Sequence, residues 1–340
     1  WGGGGGMKGD TFSGSVQKAH AKENLFVPTP RIYWQAAGQT QQAIVIDYGA
    51  GRRSSHEAIA LIGTRSRSAT VEYSDADVWT SPLSTYGLSA VIYEGQVSRV
   101  DGQRIELKSG DRAIVPGEFA GAYLRVTAGA TSAPVGKTFL VRKHSAGAWV
   151  HLTSELNTDT DYSTYLISAG DTVEMWVDRM ALHYGEEVGH RFCRVVFPDE
   201  EIAQGKHTCG AIIAGPALDF DPPLDWSWKD NQQPNTTAYR SKSGVRWAYQ
   251  EGPAQRTLQA RLIGDFSQRF REGFRHLARE FAQYDVRPIA LCLNHQDVPG
   301  SLFYGYISTG GQLDQAGWFQ DADGNWRATG DLSLQVVEEV

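Results

Sequence analysis

His190-x-x-Cys193 and His207-x-Cys209 place four metal-capable side chains between positions 190 and 209, a spacing that tetrahedral zinc can use. The residues around them are apolar and β-prone, so two ordinary strands carrying buried thiols account for the same pattern, and no metal is expected. Asp321-Ala322-Asp323-Gly324-Asn325 has the acidic spacing that opens a calcium loop. Glycine stands fourth, however, and no glutamate stands twelfth, so a polar hairpin turn is expected instead. Glu186, Glu187, Asp199, Glu200, Glu201, Asp219 and Asp221 could supply the acid and the base or nucleophile of a glycosidase, but they gather where turns place solvated charge in any case. The chain has no G-x-S-x-G elbow, no phosphate-binding glycine loop before a lysine, no dinucleotide fingerprint and no H-E-x-x-H pair. No catalytic residue and no cofactor are therefore expected.

A second concentration of chemistry is aromatic. Trp226-Ser227-Trp228, with Tyr239, Trp247 and Tyr249 following, could stack on sugars, anchor a protein interface or fill a core. Asn235-Thr236-Thr237 fits the glycosylation acceptor pattern, but nothing in the sequence marks secretion, and a chance tripeptide in a surface loop is expected.

The elements that must position these residues are bounded by composition. At 340 residues the chain exceeds one ordinary core, with about 100 to 200 residues per domain as the norm. Hydrophobic residues at 41% and aromatics at 11% exclude a disordered chain. A net charge of -7 offers no broad positive surface for a phosphate backbone, so nucleic acid is not an expected partner. No apolar run approaches the roughly 18 residues that span a bilayer, and no secretory signal order is visible; assembly in the cytoplasm without membrane insertion is expected. Three cysteines read as reduced thiols. Trp1 stands where methionine would, ahead of Gly2 to Gly6, so the chain either starts inside a longer product or has a partly arbitrary end. Residues 1–24 read as a flexible arm.

Short β-prone runs follow at 43–46, 59–62 and 70–73, then at 123–126, 139–142, 149–152 and 173–177, then at 192–197 and 211–215. The first group has too few strands to close its own sheets and needs the last two runs to do so. Residues 25–93 plus 184–225 are thus expected to form one discontinuous β-sandwich, with 94–183 inserted as a small β domain. The remainder, 226–340, has strands near 245–250, 257–263, 288–294, 302–307 and 332–337. Among them Phe266, Phe270, Phe274, Leu277, Phe281 and Tyr284 recur at steps of three and four. That stripe predicts a helix over 266–284, capped by Asp265 and ended before Pro288, packed on a sheet.

The order of these features carries a resemblance. Ile46-Asp47-Tyr48-Gly49, Glu57-Ala58-Ile59-Ala60-Leu61-Ile62-Gly63 and Ala69-Thr70-Val71-Glu72-Tyr73-Ser74-Asp75 resemble the discoidin-like, galactose-binding-like modules of bacteriophage tail proteins. The runs 191–199 and 209–218 look like that family's closing strands, and the Arg256 to Ile263 strand, the helix and the 332–340 end are similar to its tail-tube-like part. The resemblance implies a mainly β fold: a jelly-roll sandwich with an inserted small β domain, then a β-rich domain with one packed helix. It also implies a distal tail or baseplate protein, assembled in the host cytoplasm, resident in the virion tail tip, that forms a ring or trimer with itself and joins tube, hub and fibres. Segment 94–183 fits no part of that pattern. A carbohydrate-binding module for host-surface glycans, using Trp226 and Trp228, is the second expectation, and a polysaccharide-degrading enzyme the third.

Overall fold

Short runs of β-branched and aromatic residues bounded by turn residues recur along the chain, and the protein is accordingly mainly β, with one helix packed on a sheet among the described residues. The computed structural model describes residues 25, 34–36, 40–108, 119, 121–129, 135–145, 148–153, 167–199, 206–219, 228–233, 236–240, 246–250, 255–281, 287–293, 301–308, 313–324 and 326–338. The expected arm at 1–24, Trp226, Asn235, Tyr284, Glu200, Glu201 and Asp221 lie outside these residues.

Five strands come first: β1 (Trp34–Gln35), β2 (Gln42–Asp47), β3 (His56–Ile62), β4 (Ser68–Ser74) and β5 (Ser84–Ser89). Six more build a closed barrel: β6 (Val91–Asp101), β7 (Arg104–Leu107), β8 (Tyr123–Ala128), β9 (Thr138–Ser145), β10 (Trp149–Thr153) and β11 (Thr172–Trp176), in the order β10-β7-β6-β11-β8-β9. The chain then returns as β12 (Arg179–Val188), β13 (Phe192–Phe197), β14 (Thr208–Cys209) and β15 (Ala211–Gly215). These late strands pair with the early ones, giving antiparallel sheets β2-β13-β4-β5 and β12-β3-β15, with β1 against β14. Val71, Tyr73, Val195 and Phe197 from one sheet meet Ile59, Leu61 and Met180 from the other in a shared core. The barrel has its own core, including Ile105, Leu124, Phe139, Val150 and Met175. Its strands start at Val91 and stop at Trp176, so the expected bounds of 94 and 183 cut through β6 and β12; β12 belongs to the sandwich, where Met180 pairs with Leu61.

Chain entry to and exit from the barrel coincide. The Val177 amide donates to the Ala90 carbonyl (3.1 Å), and the Ala90 amide to the Arg67 carbonyl (2.8 Å). Arg67 reaches the buried Glu174 of β11 at 2.9 Å, and the Trp176 indole donates to the Arg65 carbonyl. A charged partner for Glu174 is what permits its burial beside the barrel wall.

Beyond β15 lie β16 (Trp228–Gln233), the hairpin β17 (Thr236–Arg240) and β18 (Arg246–Gln250), β19 (Gln255–Ser267), helix α1 (Gln268–His276), β20 (Ile289–Cys292), β21 (Leu302–Ile307), β22 (Leu313–Gln320) and β23 (Trp326–Glu338). The sheet runs β16-β19-β23-β21-β20, and β22 pairs with the first half of β23 while β21 pairs with its end. Gly305 in β21 permits that crowded junction, because a Cβ there would collide with the Val337 carbonyl. The Asp321 turn joins β22 to β23: the Asp321 side chain accepts from the Asp323 amide (3.0 Å) and from Arg327 (2.9 Å), the geometry of a polar hairpin turn.

The helix is shorter than its stripe predicts. Phe266 is in β19, which pairs with β23 through Ser267, and Ser267 rather than Asp265 is the cap, its hydroxyl accepting from the Phe270 amide (3.2 Å). After His276 the chain continues as a π turn, Leu277–Phe281. The wider turn takes more residues per revolution, so the apolar face passes from Phe270 and Phe274 to Ala278, leaving Leu277 half-buried.

The units stack as layers, because the sheet β12-β3-β15 is covered on both faces. Ile59 and Leu61 point into the sandwich core, while Ala60 and Ile62 meet Leu302 and Tyr304 of β21. Phe303 and Ile307 on the other face of β21 meet the helix. The small side chains Ala60, Ala181, Ala211 and Ala290 let the two sheets close on each other. Arg179 locks the corner, donating to Glu338 Oε1 and to the Leu302 carbonyl, both at 2.8 Å. Arg179→Ala removes this ion pair and the hydrogen bond to the Leu302 carbonyl, and should lower stability by about 2 to 3 kcal/mol in denaturant unfolding. The double variant Arg179→Met/Glu338→Leu should recover most of that loss; equal loss in both would show that the ion pair is not the clamp.

Candidate functional site

One end of the sandwich gathers the segments 48–55, 75–83 and 189–191, since β2, β4 and β12 end there and β3, β5 and β13 begin there. Gly49, at φ +94°, turns the chain out of β2, and the Asp47 carboxylate accepts its amide (2.8 Å). The same carboxylate takes both Nε and Nη2 of Arg191 at 3.0 Å. That fork holds the Asp47 carboxyl below its usual range, with the Gly49 amide adding to the effect against the cost of burial.

Beneath these loops a chain of hydrogen bonds crosses the core. Tyr48 Oη lies 2.8 Å from His56 Nε2, His56 Nδ1 lies 2.8 Å from Tyr73 Oη, and Tyr73 Oη lies 2.9 Å from Tyr184 Oη. Tyr86 packs edge-on to Tyr184 with ring centroids 4.6 Å apart. Tyr73 and Tyr86 come from one sheet and His56 and Tyr184 from the other, so the network ties the sheets together. Either imidazole tautomer satisfies both ring nitrogens, one by donating and one by accepting. His56 is 1% exposed, and burial drives its pKa down to about 4. Burial likewise pushes the hydroxyls of Tyr48, Tyr73 and Tyr184 above their usual range and the Cys193 thiol up to about 12. At neutral pH every member is uncharged; the thiol is not a thiolate, and the imidazole is buried, engaged at both nitrogens and weakened as a base, so the arrangement orders packing.

Two clusters have the composition of a nucleophilic site without its geometry. Ser66 Oγ bonds His207 Nδ1 at 2.8 Å, but both residues are fully buried at the opposite end of the sandwich. Ser54, His190 and Asp75 meet at the loop end, where His190 Nδ1 lies 3.2 Å from Asp75 Oδ1. The Ser54 hydroxyl there accepts the His190 backbone amide, not its ring, and donates to the Val188 carbonyl. A nucleophile must be bonded to the base that removes its proton, and Ser54 is not.

The zinc candidates are likewise split. His190 and Cys193 sit at the loop end, whereas His207 stacks on Phe197 at the other end, beside Cys209. About 13 Å of strand separates Cys193 from Phe197, against zinc–ligand distances near 2.0–2.3 Å. The Cys209 thiol is also pushed up to about 12 by burial. Among the described residues no group of three or more His, Cys, Asp or Glu could hold a metal ion. Glu186 and Glu187 are at the loop end and Asp199 follows β13 at the other, so these carboxylates do not face one another. Trp228 is on β16 opposite Ala260, and Tyr239 on β17 is the register partner of Trp247 on β18, which also carries Tyr249; their side chains lie outside the described residues, as does that of Phe281. In the sequence Tyr48 and Tyr73 stand out only as strand markers, and the one signal of this network is His56, a histidine opening an apolar strand.

Comparison with family models, characterised proteins and solved structures finds no match to this chain. Among the described residues no helix is long and apolar enough to cross a membrane.

The depressed pKa of His56 has a stability consequence with a defined sign. The unfolded chain takes up a proton near pH 6.5 and the folded chain only near 4, so stability is lost as pH falls through that window and changes no further below it on this account. The loss should approach about 3 kcal/mol, at roughly 1.4 kcal/mol per pH unit. Urea midpoints measured between pH 7 and 4 should show this slope in the wild type and a shallower one in His56→Gln; parallel slopes would remove His56 as the cause.

Proposed function

We propose that this chain is a non-enzymatic structural component of a phage tail tip or baseplate, a discoidin-like protein that assembles with copies of itself into a ring or trimer. The observation that carries the reading is the layered stack: sandwich, C-terminal sheet and helix share buried faces, so each unit is held at a fixed position relative to the others. A connector between tube, hub and fibres needs that fixed geometry. The order of sequence features that resembles tail proteins is in keeping with the same reading. The loop end also presents Val78 and Leu83 at 57% and 61% exposure, apolar side chains suited to contact with a neighbour in an assembly. In this reading the roles of His56, Tyr73 and Asp47 are to shape the loop end, and the virion tail tip is the site of residence.

Native mass spectrometry and negative-stain imaging of the full chain at increasing concentration test the proposal. A closed ring or a trimer is expected. A monomer at every concentration tested would reject self-assembly.

A further inference from the structure

The barrel carries a surface that its own core does not require. Along β10, Val150 and Leu152 point inward, so Trp149 and His151 point outward. Register places Arg99 of β6, Glu106 of β7, Trp149 and Ser145 of β9 in one cross-strand row. Asp101, Arg104, His151 and Lys143 form the next row on the same strands. Two β-bulges create this alignment. Ser98 is the extra residue between the Val97 and Arg99 pairings, and Arg142 is the extra residue between the Lys143 and Val141 pairings. Each bulge turns the next cation to the outer face, where strict alternation would have sent it inward.

The guanidinium carbons of Arg104 and Arg99 lie 5.3 and 5.9 Å from the Trp149 ring centroid, close enough for the ring to order both through cation–π attraction. Arg104 is also paired with Asp101, and Glu106 accepts from Ser98. Among the described residues, neither Arg99 nor Lys143 is paired with a carboxylate. Burial, with the neighbouring cations Arg104 and Lys143 adding to it, lowers the pKa of His151, so the imidazole sits among them as a neutral hydrogen-bonding group. An indole beside ordered guanidiniums, an ammonium, an imidazole and two carboxylates is a surface for a ligand that has an apolar ring face, hydroxyls and a negative group.

We propose that this outer face of β6, β7, β10 and β9 binds a segment of acidic glycan, with a pyranose ring against Trp149 and its carboxylate or phosphate against Arg99 and Lys143. The intermixed Asp101 and Glu106 suit sugar hydroxyls and disfavour a continuous polyphosphate track, as does the chain's net charge of -7. The site stands apart from the self-assembly reading, and its failure would leave that reading untouched.

Affinity electrophoresis of the full chain in gels containing polygalacturonate, its methyl ester or dextran, with a thymidine oligonucleotide as competitor, tests the site. Polygalacturonate should retard the wild type at low ionic strength, and methyl esterification should weaken the retardation about tenfold, the equivalent of one charge-assisted contact. Trp149→Ala and Lys143→Glu, both on the outer face, should each lower affinity by about tenfold or more with unchanged unfolding midpoints. No retardation of the wild type, equal retardation of Trp149→Ala, or displacement by the oligonucleotide at lower concentration than by free polygalacturonate would each overturn the proposal.

Discussion

The whole architecture depends on one strand that is covered on both faces. The strand β3 cannot alternate apolar and polar residues, because Ile59 and Leu61 fill the sandwich while Ala60 and Ile62 meet the C-terminal sheet. A strand with two buried faces becomes a continuous apolar run, a pattern usually associated with sheets that helices cover. Here the second cover is another β-sheet, and the alanines on the shared face set how near it comes. Removing either neighbour would expose a hydrophobic sheet to water, so the sandwich and the C-terminal unit are parts of one folding problem.

Two buried polar clusters sit where that packing can satisfy them. Arg179 and Glu338 pair at the edge of the double-covered sheet, and His56 is held between two tyrosines at the sandwich's loop end. In both places the hydrogen bonds join different sheets. They offset the cost of burying polar atoms and fix the angle at which apolar faces meet. The barrel departs from the opposite end, where Ser66 and His207 form the corresponding buried pair.

Much of this was legible in the sequence, and what was not has physical reasons. The runs that became β2, β3, β4, β13 and β15 are short, apolar and bounded by turn residues. The shortage of early strands pointed to partners later in the chain. The helix stripe was correct at Phe270 and Phe274, but a step of four back to Phe266 suits the last inward residue of a strand as well as the first turn of a helix. A π turn then moved the buried position from Leu277 to Ala278. The tyrosine–histidine network left no periodic trace, because its members are joined across 8, 17 and 111 positions by single hydrogen bonds. The Trp149 surface was hidden for the converse reason: bulges at Ser98 and Arg142 break the alternation from which outward residues are read.

The joint at the base of the barrel sets what the fold can tolerate there. Ala90 and Val177 are hydrogen-bonded neighbours, so the sandwich experiences the whole intervening module as a tight turn between β5 and β12. Closing so short a gap costs little more for many residues than for a few, because the entropy of closure grows only slowly with length. The fold therefore carries a socket: what is plugged in between those two residues can change in length or content while the layered body that holds it keeps its shape.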